Sequence, residues 1–136
     1  MKRVSLLLPV AGVLACMAME AQTTVLTANI PFRFQIGKDE MPAGKYRIDY
    51  TTRVLTVSCP AERKAVMVLT TPSSRDKTPE TGLLLFHRYG DTYFLSGVWK
   101  PGSSDGAGIV RSSREKELAR RMGTPRPATV ALNTKR

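Results

Sequence analysis

The chain has few of the residues from which metal and catalytic centres are usually built. Its 136 residues include one histidine, His87, and two cysteines, Cys16 and Cys59. A zinc site with thiolate and imidazole ligands needs several such side chains close together. His87 and Cys59 are 28 positions apart, and no cluster of ligands surrounds either. The sequence therefore predicts no metal site and no cofactor.

A serine-hydrolase motif is present only as a short match. Residues 102–106 read GSSDG, which fits the pattern G-x-S-x-G around Ser104. That motif belongs to a strand-to-helix turn of an α/β fold, with the histidine partner later in the chain. No histidine follows Ser104. We therefore expect a flexible loop here, predict that the protein is not an enzyme, and keep a hydrolase only as a less favoured alternative.

The chain also lacks an apolar run long enough for a permanent membrane span. Residues 4–19 are uncharged and follow Lys2 and Arg3, but this run falls short of the ~20 residues that cross a bilayer. A positive start, a short apolar run and small residues after it are typical of a bacterial export signal. We predict a signal peptide over residues 1–21 and a periplasmic or extracellular mature protein.

Two forms of the mature N-terminus remain open. The segment VLAC, residues 13–16, resembles a bacterial lipoprotein box, in which Cys16 would carry lipid and anchor the protein to the envelope. Cleavage after residue 21 instead leaves Cys59 as the single cysteine of a soluble protein. A single cysteine provides no intrachain disulfide framework. We expect Cys59 to be a small buried residue at a strand end.

Short segments rich in Val, Ile, Thr, Tyr and Phe fill the middle of the chain. They read TTVLTANI, PFRFQI, KYRIDY, RVLTVS, KAVMVLT, LLLFHRY and TYFLSGVW, and turn-forming residues separate them. The segments do not alternate with helical segments, as they would in a parallel sheet. Residues 22–110 therefore predict an all-β domain, an antiparallel sandwich or small barrel of about six to eight strands.

One hairpin is defined well enough to predict its register. Gly90 and Asp91 lie between two apolar runs, and glycine in the first central position suits a type II′ turn. The turn pairs the following residues across the hairpin: Tyr89 with Thr92, His87 with Phe94, and Leu85 with Ser96. It places these residues together on the core-facing side: Leu84, Phe86, Leu95 and Trp99. We interpret Phe86, Leu95 and Trp99 as packing residues and His87 as a half-exposed structural residue.

The C-terminal region predicts one helix, over residues 111–123. Ser112 and Glu115 form a capping-box pattern at its start, and Leu118 and Met122 share a narrow apolar stripe that would lie on the sheet. Gly123 and two prolines end it. Residues 124–136 are predicted to be a flexible basic tail, with ATVAL, residues 128–132, as an alternative edge strand.

Positive charge is concentrated at this end of the chain. Residues 111–136 carry 8 basic and 2 acidic residues, against 11 basic and 8 acidic residues in 22–110. Export makes nucleic acid an unexpected partner, and anionic lipid, lipopolysaccharide and acidic glycans are the expected ones. The candidate binding residues are Arg111, Arg114, Lys116, Arg120, Arg121 and Arg126.

Three segments bear a resemblance to a known family. They read IPFRFQIGKDEMPAGKYRI, FHRYGDTYFLSGVWKPG and SSREKELA. This pattern resembles a family of small secreted bacterial proteins with no assigned function. The resemblance implies an exported β-domain and no particular activity. The long basic tail is a departure from the shared segments.

Two hypotheses for function follow. The first is an exported, non-catalytic β-domain whose basic C-terminal region binds an anionic envelope surface or partner. The alternative is a lipocalin-like carrier or sensor that holds a small apolar ligand inside a barrel. The first predicts binding that weakens with salt, and the second predicts ligand-dependent thermal stabilisation that is insensitive to salt.

Overall fold

A computed structural model describes residues 25–51 and 53–135, so the predicted signal peptide and Cys16 lie outside the described residues. The described residues form eleven strands, a 3₁₀ turn at Pro60–Glu62 and the helix α1 at Ser113–Met122. The strands are β1 (Val25–Ile30), β2 (Phe34–Ile36), β3 (Asp39–Met41), β4 (Gly44–Tyr50), β5 (Val54–Cys59), β6 (Lys64–Ser74), β7 (Leu83–Tyr89), β8 (Thr92–Trp99), β9 (Asp105–Ile109), β10 (Arg126–Ala131) and β11 (Asn133–Lys135).

The strands form two sheets that share one long strand, β6. Residues 64–69 of β6 pair with β5, and residues 70–74 pair with β9. The first sheet has the order β6-β5-β4-β1-β11, and the second has the order β6-β9-β8-β7-β10. Because β6 belongs to both sheets, the two are continuous along this side, and one core cluster takes residues from each.

The C-terminal segment connects the sheets on the opposite side. β10 pairs antiparallel with β7, and β11 pairs antiparallel with β1. Leu132, the single residue between them, is buried and donates its N–H to the Gly82 carbonyl at 2.7 Å. The prediction of a flexible tail is therefore wrong for residues 126–135. These residues cover the backbone edges of β7 and β1, which would otherwise lie open to pairing with another chain.

The core is built from alternating side chains of both sheets, as the period of two along a strand requires. In the first sheet, β4 and β5 alternate between buried and more exposed positions. Phe34 packs edge-on against Tyr46 of the first sheet and Phe86 of the second, with ring centroids 5.1 and 5.5 Å apart. Cys59 is a buried free thiol, in agreement with the sequence prediction.

The predicted all-β class with one short helix is confirmed. The seven predicted segments correspond to seven of the eleven strands of the described residues, and the four further strands are β3, β9, β10 and β11. Two of these come from the predicted tail, and β9 begins at Asp105, within the predicted loop at residues 102–106. The sheet is also mixed instead of purely antiparallel, because β2 meets β8 through one parallel pair, Gln35 with Phe94.

The hairpin of β7 and β8 follows the predicted register near its turn and departs from it further along. Gly90 has a φ of 60°, which favours glycine and fits the first central position of a type II′ turn. His87 faces Phe94 as predicted, but the register shifts between Leu85 and Phe86, so Leu85 faces Gly97 instead of Ser96. Ser96 is the extra residue of a β-bulge.

This bulge also places Trp99 on the side opposite to the one predicted. Phe86 and Leu95 lie in the core cluster, and beyond the bulge the core-facing residue is Val98. Trp99 therefore points to the outer face of the second sheet, where its indole covers Gly97 and Gly106. The Arg75 guanidinium lies 5.3 Å from the ring centroid. Trp99 still packs tightly, but against backbone and not within the core cluster.

The helix begins at the predicted cap and contacts the sheet through an unpredicted residue. The Ser112 hydroxyl accepts a hydrogen bond from the Glu115 N–H at 3.2 Å, and α1 occupies a narrower range than residues 111–123. The predicted stripe faces the sheet, since Leu118 is half-buried, but the most buried residue of α1 is Glu115, which is 3% exposed, whereas Met122 is 54% exposed. A buried carboxylate costs free energy unless it is hydrogen-bonded, and its partners define the site described next.

Candidate functional site

Glu115 is the centre of a polar cluster between α1 and the outer face of the second sheet. Its Oε2 atom lies 2.9 Å from His87 Nδ1 and accepts a hydrogen bond from the Tyr89 hydroxyl at 2.9 Å. The Arg111 Nε atom lies 3.4 Å from the same oxygen, one helical turn earlier. These three contacts compensate the burial of the carboxylate and hold α1 on the strand β7.

His87 links this carboxylate to a serine hydroxyl. Its second ring nitrogen, Nε2, lies 3.1 Å from Ser96 Oγ. An ionised carboxylate only accepts hydrogen bonds, so Glu115 places the proton of a neutral imidazole on Nδ1. Nε2 is then an acceptor that faces the Ser96 hydroxyl. The cluster is therefore a continuous series of contacts from Glu115 through His87 to Ser96.

Tyr89 remains a proton donor in this cluster over the ordinary pH range. Burial raises the pKa of the Tyr89 hydroxyl, and its hydrogen bond to Glu115 and the negative charge of that carboxylate raise it further. A tyrosinate beside a carboxylate would place two negative charges in one buried space, which is unfavourable. Tyr89 also packs edge-on against Phe94, with ring centroids 5.8 Å apart. Its role is to hold Glu115 in place.

The predicted basic residues are divided between two structural roles. Arg111 contacts the buried Glu115, so part of its charge is compensated within the protein. Four of the others are exposed on α1, namely Arg114, Lys116, Arg120 and Arg121. Arg126 is exposed at the start of β10. Met122 at the end of α1 and Arg126 line the same surface cleft, and we define these five exposed basic residues as the basic face.

Arg88 extends this basic face and was missed by the sequence analysis. It faces Arg126 directly across the pairing of β7 and β10. Its Nε atom donates to the Gly90 carbonyl at 2.7 Å, and its guanidinium lies 5.4 Å from the centroid of the Tyr93 ring. Because residues 124–136 were predicted to be flexible, nothing in the sequence indicated a partner for Arg88.

A surface cleft of about 300 Å³ lies between these two arginines. Its lining consists of Arg88, Tyr89, Gly90, Met122, Thr124 and Arg126. In residues 25–51 and 53–135, no carboxylate forms an ion pair with Arg88 or Arg126. The cleft therefore combines two guanidinium groups with the exposed side chain of Met122, and it opens beside the C-terminal end of α1.

Among the described residues, no helix is both long and apolar enough to cross a membrane. No family model, curated protein or solved structure matches the chain. The basic face and the cluster around Glu115 are the two features of the described residues that point to a function.

Proposed function

We propose that this chain is an exported protein that binds the phosphate groups of an anionic lipid surface. The basic face on α1 and β10 forms the contact, and Arg88 and Arg126 form its most specific part. The predicted signal peptide, residues 1–21, supports the assignment to the envelope. The observation that carries the proposal is the direct pairing of Arg88 with Arg126 across two strands.

Two like charges directly opposite each other on neighbouring strands are destabilising. Here both belong to guanidinium groups, which present parallel N–H donors suited to phosphate oxygens. A phosphate between Arg88 and Arg126 would replace repulsion with two attractive contacts. The hydrogen bond to Gly90 and the contact with Tyr93 restrict Arg88 before binding, so less conformational entropy is lost when the anion binds.

The surroundings of this pair favour a lipid over a free anion. Met122 lies in the same cleft and is 54% exposed. An apolar side chain beside phosphate-binding arginines suits the boundary between headgroups and acyl chains. The exposed charges of α1 extend the contact, and each basic residue near an anionic surface contributes about 1 kcal/mol. An acidic glycan would offer carboxylates but no apolar layer for Met122.

The interior of the protein supports the alternative carrier hypothesis less. Phe34, Tyr46 and Phe86 meet between the two sheets with centroid separations of 5.1 and 5.5 Å. These rings occupy space that an enclosed apolar ligand would need. The surface hypothesis requires no such space, because its contact residues are exposed.

The test measures binding of the mature chain, residues 22–136, to vesicles of equimolar phosphatidylcholine and phosphatidylglycerol. Replacing both Arg88 and Arg126 with Gln removes about 2 kcal/mol of attraction and is expected to weaken binding about 30-fold. Binding of the wild type should also weaken steeply between about 50 and about 300 mM salt. Sedimentation of the vesicles measures both effects.

A matched control removes two charges elsewhere. Lys45 and Arg47 are exposed on β4 in the other sheet, and replacing both with Gln changes the net charge by the same amount. This variant is expected to bind within about threefold of the wild type, since its charges lie away from the basic face. Equal weakening of the two variants would show an unspecific charge effect and contradict the proposal, as would tighter binding to polygalacturonate than to the vesicles.

A further inference from the structure

The contact between His87 and Ser96 has no part in the proposed lipid binding. It lies on the outer face of the second sheet and joins three separate elements: Ser96 on β8, His87 on β7 and Glu115 on α1. The two heavy-atom separations are 3.1 Å between Ser96 Oγ and His87 Nε2, and 2.9 Å between His87 Nδ1 and Glu115 Oε2. Both lie within the range for a nucleophile and its general base.

We propose that Ser96 is a nucleophile activated by His87, that Glu115 orients His87, and that the site accepts acyl groups from small esters. Serine, histidine and carboxylate in this arrangement are recognised by their geometry, whatever their order along the chain. Here the chain order is histidine, serine, carboxylate. Ser96 lies outside the G-x-S-x-G match at residues 102–106, so that local motif does not indicate it.

Side-chain exposure increases along the cluster from the carboxylate to the base, as a site that a substrate must reach requires. The side chain of Glu115 is 4% exposed, whereas that of His87 is 22% exposed. Ser96 is also partly exposed. The orienting carboxylate is therefore closed off from water, while the base and the nucleophile can be reached from the surface. Glu115 also has Tyr89 and Arg111 as partners. The contact of Ser96 is with His87 and is not needed to compensate the buried carboxylate.

Ser96 is the extra residue of the β-bulge, and its side chain lies on the same face of the sheet as His87. In a regular hairpin Ser96 would face Leu85, but it has no register partner on β7 or β9. Bulges of this kind are over-represented next to active sites.

Two glycines lie near Ser96, one of them covered by a ring and the other open. Gly97 faces Gly108 across β8 and β9, so neither contributes a side chain. A Cβ atom added at Gly108 would come no closer than 3.5 Å to another atom, Thr71 Oγ1. The Trp99 indole covers Gly97 and provides an apolar wall. The Trp99 ring thus fills the space at Gly97, and space for a short acyl group is left at Gly108 alone of the two.

The reaction balances with water as the only co-reactant. Ser96 Oγ bonds to the ester carbonyl carbon while its proton passes to His87 Nε2. The tetrahedral oxyanion re-forms the carbonyl, the bond to the leaving oxygen breaks, and that oxygen takes the proton from Nε2. Water then bonds to the acyl carbon as its proton passes to Nε2. Ser96 Oγ leaves with that proton, and the carboxylic acid departs.

The decisive experiment is labelling of the mature chain with a fluorophosphonate, in which Ser96 Oγ displaces fluoride from phosphorus. We expect one label per molecule by intact mass, located at Ser96 by peptide mapping, and no label in Ser96→Ala. The matched control is Ser104→Ala, the serine of the G-x-S-x-G match, which should label at the wild-type rate. An unlabelled wild type with a normal circular-dichroism spectrum, or equal labelling of Ser96→Ala, would overturn the proposal.

Two further variants test the roles of the partners. His87→Gln removes the base and is expected to lower the labelling rate about 100-fold or more. Glu115→Gln keeps the shape of the side chain but removes its charge, and is expected to slow labelling and change the dependence of its rate on pH. If Glu115 had only a structural role, Glu115→Gln would lower the melting temperature and leave that pH dependence unchanged.

Discussion

At the scale of single residues, the outer face of the second sheet depends on glycines that admit a large ring. The Trp99 indole lies against Gly97 on its own strand and Gly106 on β9. A Cβ atom at Gly106 would lie 2.5 Å from Trp99 Nε1, whereas one at Gly108 would meet nothing closer than 3.5 Å. A side chain at position 106 would therefore clash with the indole, whereas one at position 108 would make only ordinary contacts.

We expect Gly106→Ala to lower the free energy of unfolding by about 1–3 kcal/mol, because the indole must move away from its packed position. Gly108→Ala is the control on the same strand and should change stability by less than about 0.5 kcal/mol. Urea unfolding followed by tryptophan fluorescence measures both. Equal losses in the two variants would mean that Trp99 is not packed against Gly106.

At the scale of elements, the helix α1 is held at its start. Ser112 caps the helix through the Glu115 N–H, and the Glu115 side chain docks on β7. The C-terminal half is bound less closely, since Met122 is 54% exposed. The amino-terminal turn therefore determines where the basic residues of α1 point.

Removal of the cap tests this asymmetry. Ser112→Ala leaves one helix N–H without its side-chain acceptor and is expected to cost about 1 kcal/mol of stability. Ser113→Ala, one position later at an exposed site, is the control and should have an effect within about 0.5 kcal/mol. Thermal unfolding measures the difference, and an equal effect of the two changes would contradict the capping role of Ser112.

At the scale of the whole molecule, the chain closes its own sheet edges. β10 and β11 pair with the outer strands of different sheets, and the buried Leu132 is the point at which the chain crosses between them. Removal of residues 111–136 would consequently expose two strand edges as well as remove charge. Point substitutions within the basic face change lipid binding without opening the strand edges. The truncation would change both at once, so its effect on binding could not be assigned to charge alone.

We expect Leu132→Asp to destabilise the protein by about 3 kcal/mol or more, because it buries a charge without a partner. Ala131→Asp adds the same charge at the adjacent exposed residue and should have an effect within about 0.5 kcal/mol. Melting temperature and light scattering report stability and association through open edges. Similar behaviour of the two variants would show that the crossing at Leu132 does not support the fold.

The sequence by itself determined the all-β class, the cap at Ser112 and the register of the hairpin close to its turn. These features depend on local patterns: alternation of apolar residues, side chains that satisfy helix ends, and a glycine that accepts a positive φ. The concentration of charge after residue 110 is also visible in the sequence.

Only the tertiary structure decided which side chains meet in the two candidate sites. The bulge at Ser96 reverses the faces beyond it, so it moved Trp99 outward, and it leaves Ser96 without a strand partner beside His87. The contact of Glu115 with β7 and the pairing of Arg88 with Arg126 join residues more than 25 positions apart. Such contacts depend on strand partners and on one inserted residue, and a local pattern of apolar and polar residues specifies neither.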